Sequence, residues 1–240
     1  MEVWEKTLNS IEKKKIVITK LKKELFFPVP EEENSEFLVV ATYEQDKLSD
    51  LNCYSMNEES ILGNIYIGRV ENIVKNLNAA FIRFSEKEKG YYSLENFKTP
   101  IFTKKIGKKP LCIGDELLVQ VEREAIKTKD PYLSTNLNFS GEYLVLTGGD
   151  KKVGVSAKLD KETRKRLKEL LELHKKDEYG VIVRTNANSA SDSEILQELE
   201  GLEKDFFHLK ETAIHKTCYS LLYQPPKGIL KILQDLRLNT

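Results

Sequence analysis

The stretch NAAFIRF, residues 78–84, decides how this chain is read. As a strand, its side chains alternate between two faces. Ala80, Ile82 and Phe84 take one face; Ala79, Phe81 and Arg83 take the other. A strand buried on both sides is apolar on both, so a face that carries a ring and a guanidinium needs another account. The same texture continues on either side. NIYIGRVENIV (64–74) alternates over most of its length, and KNLN makes a turn. KGYYSL (89–94) follows a second, charged turn. GDELLVQVERE (114–124) sets Leu117, Val119 and Val121 on one face. Short strands between Gly, Asn and Lys turns describe a small β-barrel from Gly63 to about Glu124.

In GYYSL, Tyr92 and Leu94 share one face, Tyr91 and Ser93 the other. Phe81 and Tyr91 are therefore outer-face rings on successive strands, with Arg83 beside them. Such rings stack on unpaired bases, and an arginine takes phosphate or stacks as well. A ring that covers a neighbouring element gives the same spacing, so both readings stand. Residues 97–110 hold Lys98, Lys104, Lys105, Lys108 and Lys109 and no acid. That run suits a solvated loop or a phosphate contact.

Composition narrows the class. Of 240 residues, 40% are hydrophobic, enough for a buried core, and 38 basic residues balance 38 acidic ones. With no net charge, any nucleic-acid surface has to be a local patch. Cys53, Cys112 and Cys218 stand far apart with no C-x-x-C, which speaks against a disulfide framework or zinc knuckle and for a reducing cytoplasm. The charged N-terminus does not read as a signal peptide, and no apolar run approaches a membrane span.

Outside the barrel, the first 15 residues read as a polar helical extension, with strands near 16–19, 37–44 and 47–53. GEYLVLTGG (141–149) and GVIVRT (180–185) read as strands. DKETRKRLKELLELH between them reads as a helix capped by Asp160, with Leu167, Leu170, Leu171 and His174 on one face. A long helix starts near Ser191 or Asp192 and runs to about 222, where Pro225 and Pro226 stop it. Its stripe is Ile195, Leu199, Leu202, Phe206, Leu209 and Ala213, heptad-like in spacing. It suits packing on its own domain or pairing with a second chain. KGILKILQDL begins a further helix. His174, His208 and His215 fall on helices without a paired acid.

Taken in order, these pieces resemble the RNase E/G endoribonucleases. The resemblance rests on NIYIGRV, NAAFIRF and GYYSL, continues through GDELLVQVEREAIKTKDPYLSTNLNFSGEYLVL and GVIVRTNANSA, and reaches LLYQPPKGILKILQDL. It spans about residues 36–240. It implies an α+β chain: an S-one-type OB barrel (58–125) inserted in a split, incomplete RNase H-like subdomain (1–57 and 204–240), with a mixed 5′-sensor region (126–203). It places Phe81, Tyr91 and Arg123 on a face that binds single-stranded RNA; Arg83, Lys104, Lys105, Lys108 and Lys109 are added as phosphate contacts. It gives Arg184 and Thr185 the 5′-monophosphate, which an arginine fork plus a hydroxyl fits well. Ala157 and Lys158 stand where the family often has two arginines, so Lys158 is the remaining candidate there.

Two departures bear on function. Asp130 stands where the family has a glycine near the sensor pocket; its carboxylate repels a phosphate and its side chain blocks close backbone approach. The apolar strand with two aspartates that holds magnesium in the family's DNase I-like catalytic domain is not found. The expectation is an RNA-binding region without cofactor or metal, with magnesium needed only in a catalytic domain beyond Thr240. Homo-oligomers of a longer protein are possible. The alternatives are a complete, non-catalytic RNA-binding or ribosome-associated protein, or an interaction module built on the 192–222 helix.

Overall fold

The computed structural model describes residues 3–7, 14–22, 36–55, 60–96, 100–126 and 129–226. The helix expected from residue 227 and the lysine at position 98 lie outside them. The chain divides into two compact units, one holding Met1–Glu59 and the other Ser60–Pro225.

The first unit is an antiparallel meander of β1 (Val3–Thr7), β2 (Lys14–Lys22), β3 (Glu36–Glu44) and β4 (Lys47–Ser55), in that order. The strands read near 16–19, 37–44 and 47–53 are β2, β3 and β4. The helical extension is corrected: residues 3–7 pair with β2, Val3 opposite Thr19 and Thr7 opposite Lys15. Val3, Trp4 and Thr7 are good strand formers, and a waiting edge on β2 supplies the pairing. Gln45 and Asp46, at φ 51° and 61°, turn β3 into β4. A two-residue turn with both φ positive matches the strands' twist.

The second unit holds the barrel. Its strands are β5 (Ile65–Val74), β6 (Ala79–Arg83), β7 (Lys89–Ser93), β9 (Glu116–Arg123) and β10 (Tyr132–Ser134). β8 (Phe102–Lys104) adds to the outer edge of β9. The order β5-β6-β7-β10-β9 closes because β9 also pairs with β5. β7 and β10 run parallel; the other pairs are antiparallel. Five strands closed in this way form an OB-type barrel. Alternation fills it: Ala80, Ile82, Phe84, Tyr92, Leu117, Val119, Val121 and Leu133 are all buried in one core. Burial pushes the Tyr92 phenol up to about 12, and its hydroxyl pairs with Thr135 at 3.0 Å. Asn78, at φ 46°, ends the KNLN turn in the left-handed conformation that asparagine tolerates.

A second core lies under a four-stranded sheet, β11 (Asn138–Ser140), β12 (Leu144–Thr147), β14 (Gly180–Val183) and β13 (Val153–Val155), in that order. Helix α1 (Lys161–His174) joins β13 to β14, which run parallel, as such a crossover requires. Its cap is Asp160, which accepts from the Glu162 and Thr163 N–H groups at 2.9 Å. Helix α2 (Asp192–Ala213) opens with a capping box of Ser191 and Glu194. All six residues of its stripe are buried against this sheet. The stripe therefore packs within its own unit and is not open to a partner. The helix ends at Ala213, not near 222. Tyr219 takes φ 73°, and Leu221–Tyr223 becomes β15, paired with β5. The boundary expected at 203 falls inside α2.

Candidate nucleic-acid interface

The outer face of the barrel carries a row of side chains in register. Phe81 on β6 lies opposite Tyr91 on β7, Tyr91 opposite Tyr132 on β10, and Tyr132 opposite Arg123 on β9. Leu133, next to Tyr132, points into the barrel core, so alternation puts Tyr132 outside. The Phe81 and Tyr91 ring centres are 6.1 Å apart and nearly edge-on; those of Tyr91 and Tyr132 are 5.6 Å apart and tilted by 39°. The Arg123 guanidinium lies 5.3 Å from the Tyr132 centroid, and the Lys89 ammonium 5.7 Å from that of Phe81. Both distances are within cation–π range. The three rings are half-buried and Arg123 is exposed, so each ring is held by its neighbours yet offers surface.

Gly90 makes this row possible. A Cβ there would lie 2.5 Å from Leu133 Cγ and 2.9 Å from the Pro131 carbonyl oxygen. Only a glycine lets β10 close on β7, with the Tyr91 N–H donating to that carbonyl at 2.8 Å.

Arg83 shares the outer face but is engaged. Its guanidinium forks onto Glu71, which sits at a bulge in β5, and Nη1 donates to the Glu86 carbonyl at 3.2 Å. The Glu71 hydrogen bond holds the guanidinium above its ordinary range. Of the lysines, Lys105 pairs with Asp115 at 2.5 Å and lies 4.8 Å from the Phe102 ring centre. Asp115 is fully buried and also accepts from the Ile106 and Cys112 N–H groups, each at 2.7 Å. Burial pushes its carboxyl up, but these bonds and Lys105 hold it below the ordinary value. Lys104, Lys108 and Lys109 are exposed.

The residues assigned to a 5′ phosphate gather elsewhere in the same unit. β13 and β14 are parallel, so their C-terminal ends open on one side of the sheet. Ser156 leaves β13 there and Arg184 leaves β14. The Ser156 hydroxyl lies 3.1 Å from that of Thr185, and the Lys158 N–H donates to Ser156 Oγ at 3.3 Å. One Arg184 N–H donates to the Gly141 carbonyl at 2.5 Å, while the residue itself stays exposed. Ser156, Thr185 and the Lys158 N–H thus form one polar cluster, while the Arg184 guanidinium turns to the Gly141 carbonyl. Lys158 and Arg184 are both exposed, and an arginine fork and a hydroxyl are donors suited to an anion. Asp130 is exposed in the loop that precedes β10.

Sequence reasoning missed Tyr132, Lys89 and Ser156. Tyr132 sits on a strand of three residues, too short to show alternation. Lys89 is two residues before Tyr91, hence on its face, and parity alone could have found it. Among the described residues, no group of three or more His, Cys, Asp or Glu is placed to hold a metal ion, and no helix is long and apolar enough to cross a membrane.

Comparison with known proteins defines the class. The model of the ribonuclease E/G family matches residues 138–240. Ribonuclease E of Synechocystis sp. is 28% identical over 202 residues, which cover 82% of this chain and 30% of that protein. Ribonuclease E of Buchnera aphidicola subsp. Schizaphis graminum is 30% identical over 209 residues, covering 83% and 22%. The ribonuclease E/G-like protein of Porphyra purpurea is 29% identical over 179 residues, covering 72% and 35%. Residues 138–240 thus carry the ribonuclease E/G family match, and the likeness to ribonuclease E extends over 82% of the chain. The chain spans about a third or less of the length of these three relatives.

Proposed function

We propose that this chain captures single-stranded RNA for a ribonuclease-type processing or decay reaction. The observation that carries the reading is the in-register outer row that brings Phe81, Tyr91 and Arg123 together on the barrel. OB barrels bind oligonucleotides on the face of their second and third strands, and β6 and β7 hold those places. Rings accept the π-face of any base, and a cation at the end of the row takes backbone charge. Ser156, Thr185, Lys158 and Arg184, at the ends of β13 and β14, receive the 5′ phosphate. Asp130 weakens that contact. The meander β1–β4 belongs to the RNase H-like subdomain in this reading.

Fluorescence anisotropy with a short labelled RNA tests it, comparing 5′-monophosphate with 5′-hydroxyl ends. Both RNAs bind the wild type. Phe81→Ala weakens both by about tenfold, a middling value for one stacked base. Arg184→Ala abolishes any preference for the monophosphate. Equal binding of the two ends by the wild type retires the phosphate cluster and leaves the platform. No binding of either RNA at low salt overturns the whole reading.

A further inference from the structure

We infer that Tyr132 is a third base-stacking position, which extends the platform by one nucleotide towards Arg123. This inference rests on the RNA reading above. Its own basis is separate: the parallel pairing of β7 with β10, which no local pattern near residue 132 announces.

Three observations carry it. First, Tyr132 stands in register between Tyr91 and Arg123, so the row is unbroken across four adjacent strands. Second, both ends of the row are cationic. Lys89 covers Phe81 and Arg123 covers Tyr132, so the aromatic run from 81 to 132 lies between two positive charges. A polyanion laid along the row meets a cation at each end. Without Tyr132, Arg123 would be separated from the Tyr91 ring by a whole strand. Third, the spacing fits splayed bases. The ring centres are 6.1 and 5.6 Å apart, well beyond the roughly 3.4 Å between stacked neighbours of one strand. Each ring therefore takes its own base, and three rings take three consecutive unstacked nucleotides. The ligand class is a flexible single strand; a duplex, whose bases stay stacked and paired, cannot spread over the row.

A length series tests this on the full chain. The probes are labelled 5′-hydroxyl oligoadenylates of two to eight nucleotides, read by anisotropy. Wild-type affinity climbs with length and then levels off. In Tyr132→Ala the curve levels off one nucleotide earlier, and the plateau affinity falls about tenfold, with the loss confined to the longer probes. Tyr132→Phe keeps the wild-type curve, because the ring and not the hydroxyl makes the stack. Phe81→Ala serves as the reference for the platform itself. If Tyr132→Ala matches the wild type at every length while Phe81→Ala binds more weakly, the third position is overturned and the RNA reading stands. The third position is also overturned if Tyr132→Phe loses as much as Tyr132→Ala. If the wild type binds no probe of any length, both fall together. Thermal melts of each variant separate a lost contact from an unfolded barrel.

Discussion

At the scale of single residues, the barrel is organised by side chains whose charge or size answers one local need. Asp115 is the sharpest case. It is buried, yet its carboxylate closes the 105–112 loop through two N–H groups and Lys105. Asp115→Asn keeps the shape but turns one acceptor into a donor that faces existing donors. We expect it to cost about 2 kcal/mol or more in urea unfolding, since bonds to a charged group exceed neutral ones. The pH dependence has a definite sign. The folded value lies below the ordinary 3.8, so the folded state binds the proton less readily than the unfolded chain. The carboxylate's contribution is present above 3.8 and is lost as pH falls through the folded value. Wild type therefore loses its advantage over Asp115→Asn on acidification below about 4; an unchanged difference from pH 6 down to pH 2.5 would contradict this account.

At the scale of elements, α2 does more than bury a stripe. Glu198 leaves the helix to accept the N–H groups of Glu142, Tyr143 and Leu144 at 2.7–2.8 Å, which fixes the hairpin between β11 and β12. The hairpin also carries the Gly141 carbonyl that receives Arg184. Burial raises the Glu198 carboxyl above 4.5 despite these three bonds. The sign is thus opposite to that of Asp115: the folded state holds the proton longer. As pH rises from 4.5 through the folded value, wild type should lose stability relative to Glu198→Gln, which does not titrate. Glu198→Ala leaves three N–H groups without their acceptor and should cost at least about 2 kcal/mol. Denaturant midpoints at pH 4.5, 6 and 7.5 check both statements.

The elements also show what could be read beforehand. Alternation in NAAFIRF and GYYSL separated core from surface on β6 and β7 except at Ala79, which parity puts on the outer face and which is buried; a pleated strand fixes the face of a side chain but not what covers it. The α2 stripe was legible because a spacing of three and four marks a helix face. Its end was not. Leu221, Leu222 and Tyr223 are an apolar run that periodicity cannot assign, and pairing with β5 decided it. β1 was hidden by the charged residues around it. Tyr132 was hidden differently, since its place depends on Tyr91, 41 positions earlier in the chain.

At the scale of the whole molecule, charge balance sets the character of the RNA binding proposed above. The chain has 38 basic and 38 acidic residues, so no general attraction for a polyanion is available. Four cations stand at the two proposed sites: Lys89, Arg123, Lys158 and Arg184. At about 0.7 counterions released per contact with a single strand, log K against log salt should have a slope no steeper than about −3. Anisotropy from 50 to 300 mM salt measures it. A slope near −5 would mean that Lys104, Lys108 and Lys109 also contact RNA.

The division into two units separates the chain's chromophores. The only tryptophan, Trp4, belongs to β1 of the first unit, while eight of the ten tyrosines belong to the second. Indole emission therefore follows the N-terminal meander alone. The near-ultraviolet dichroism of coupled phenol rings, with Tyr91 and Tyr132 5.6 Å apart, follows the barrel. One denaturant titration, recorded in both optical channels, reports each half of the protein without any added label.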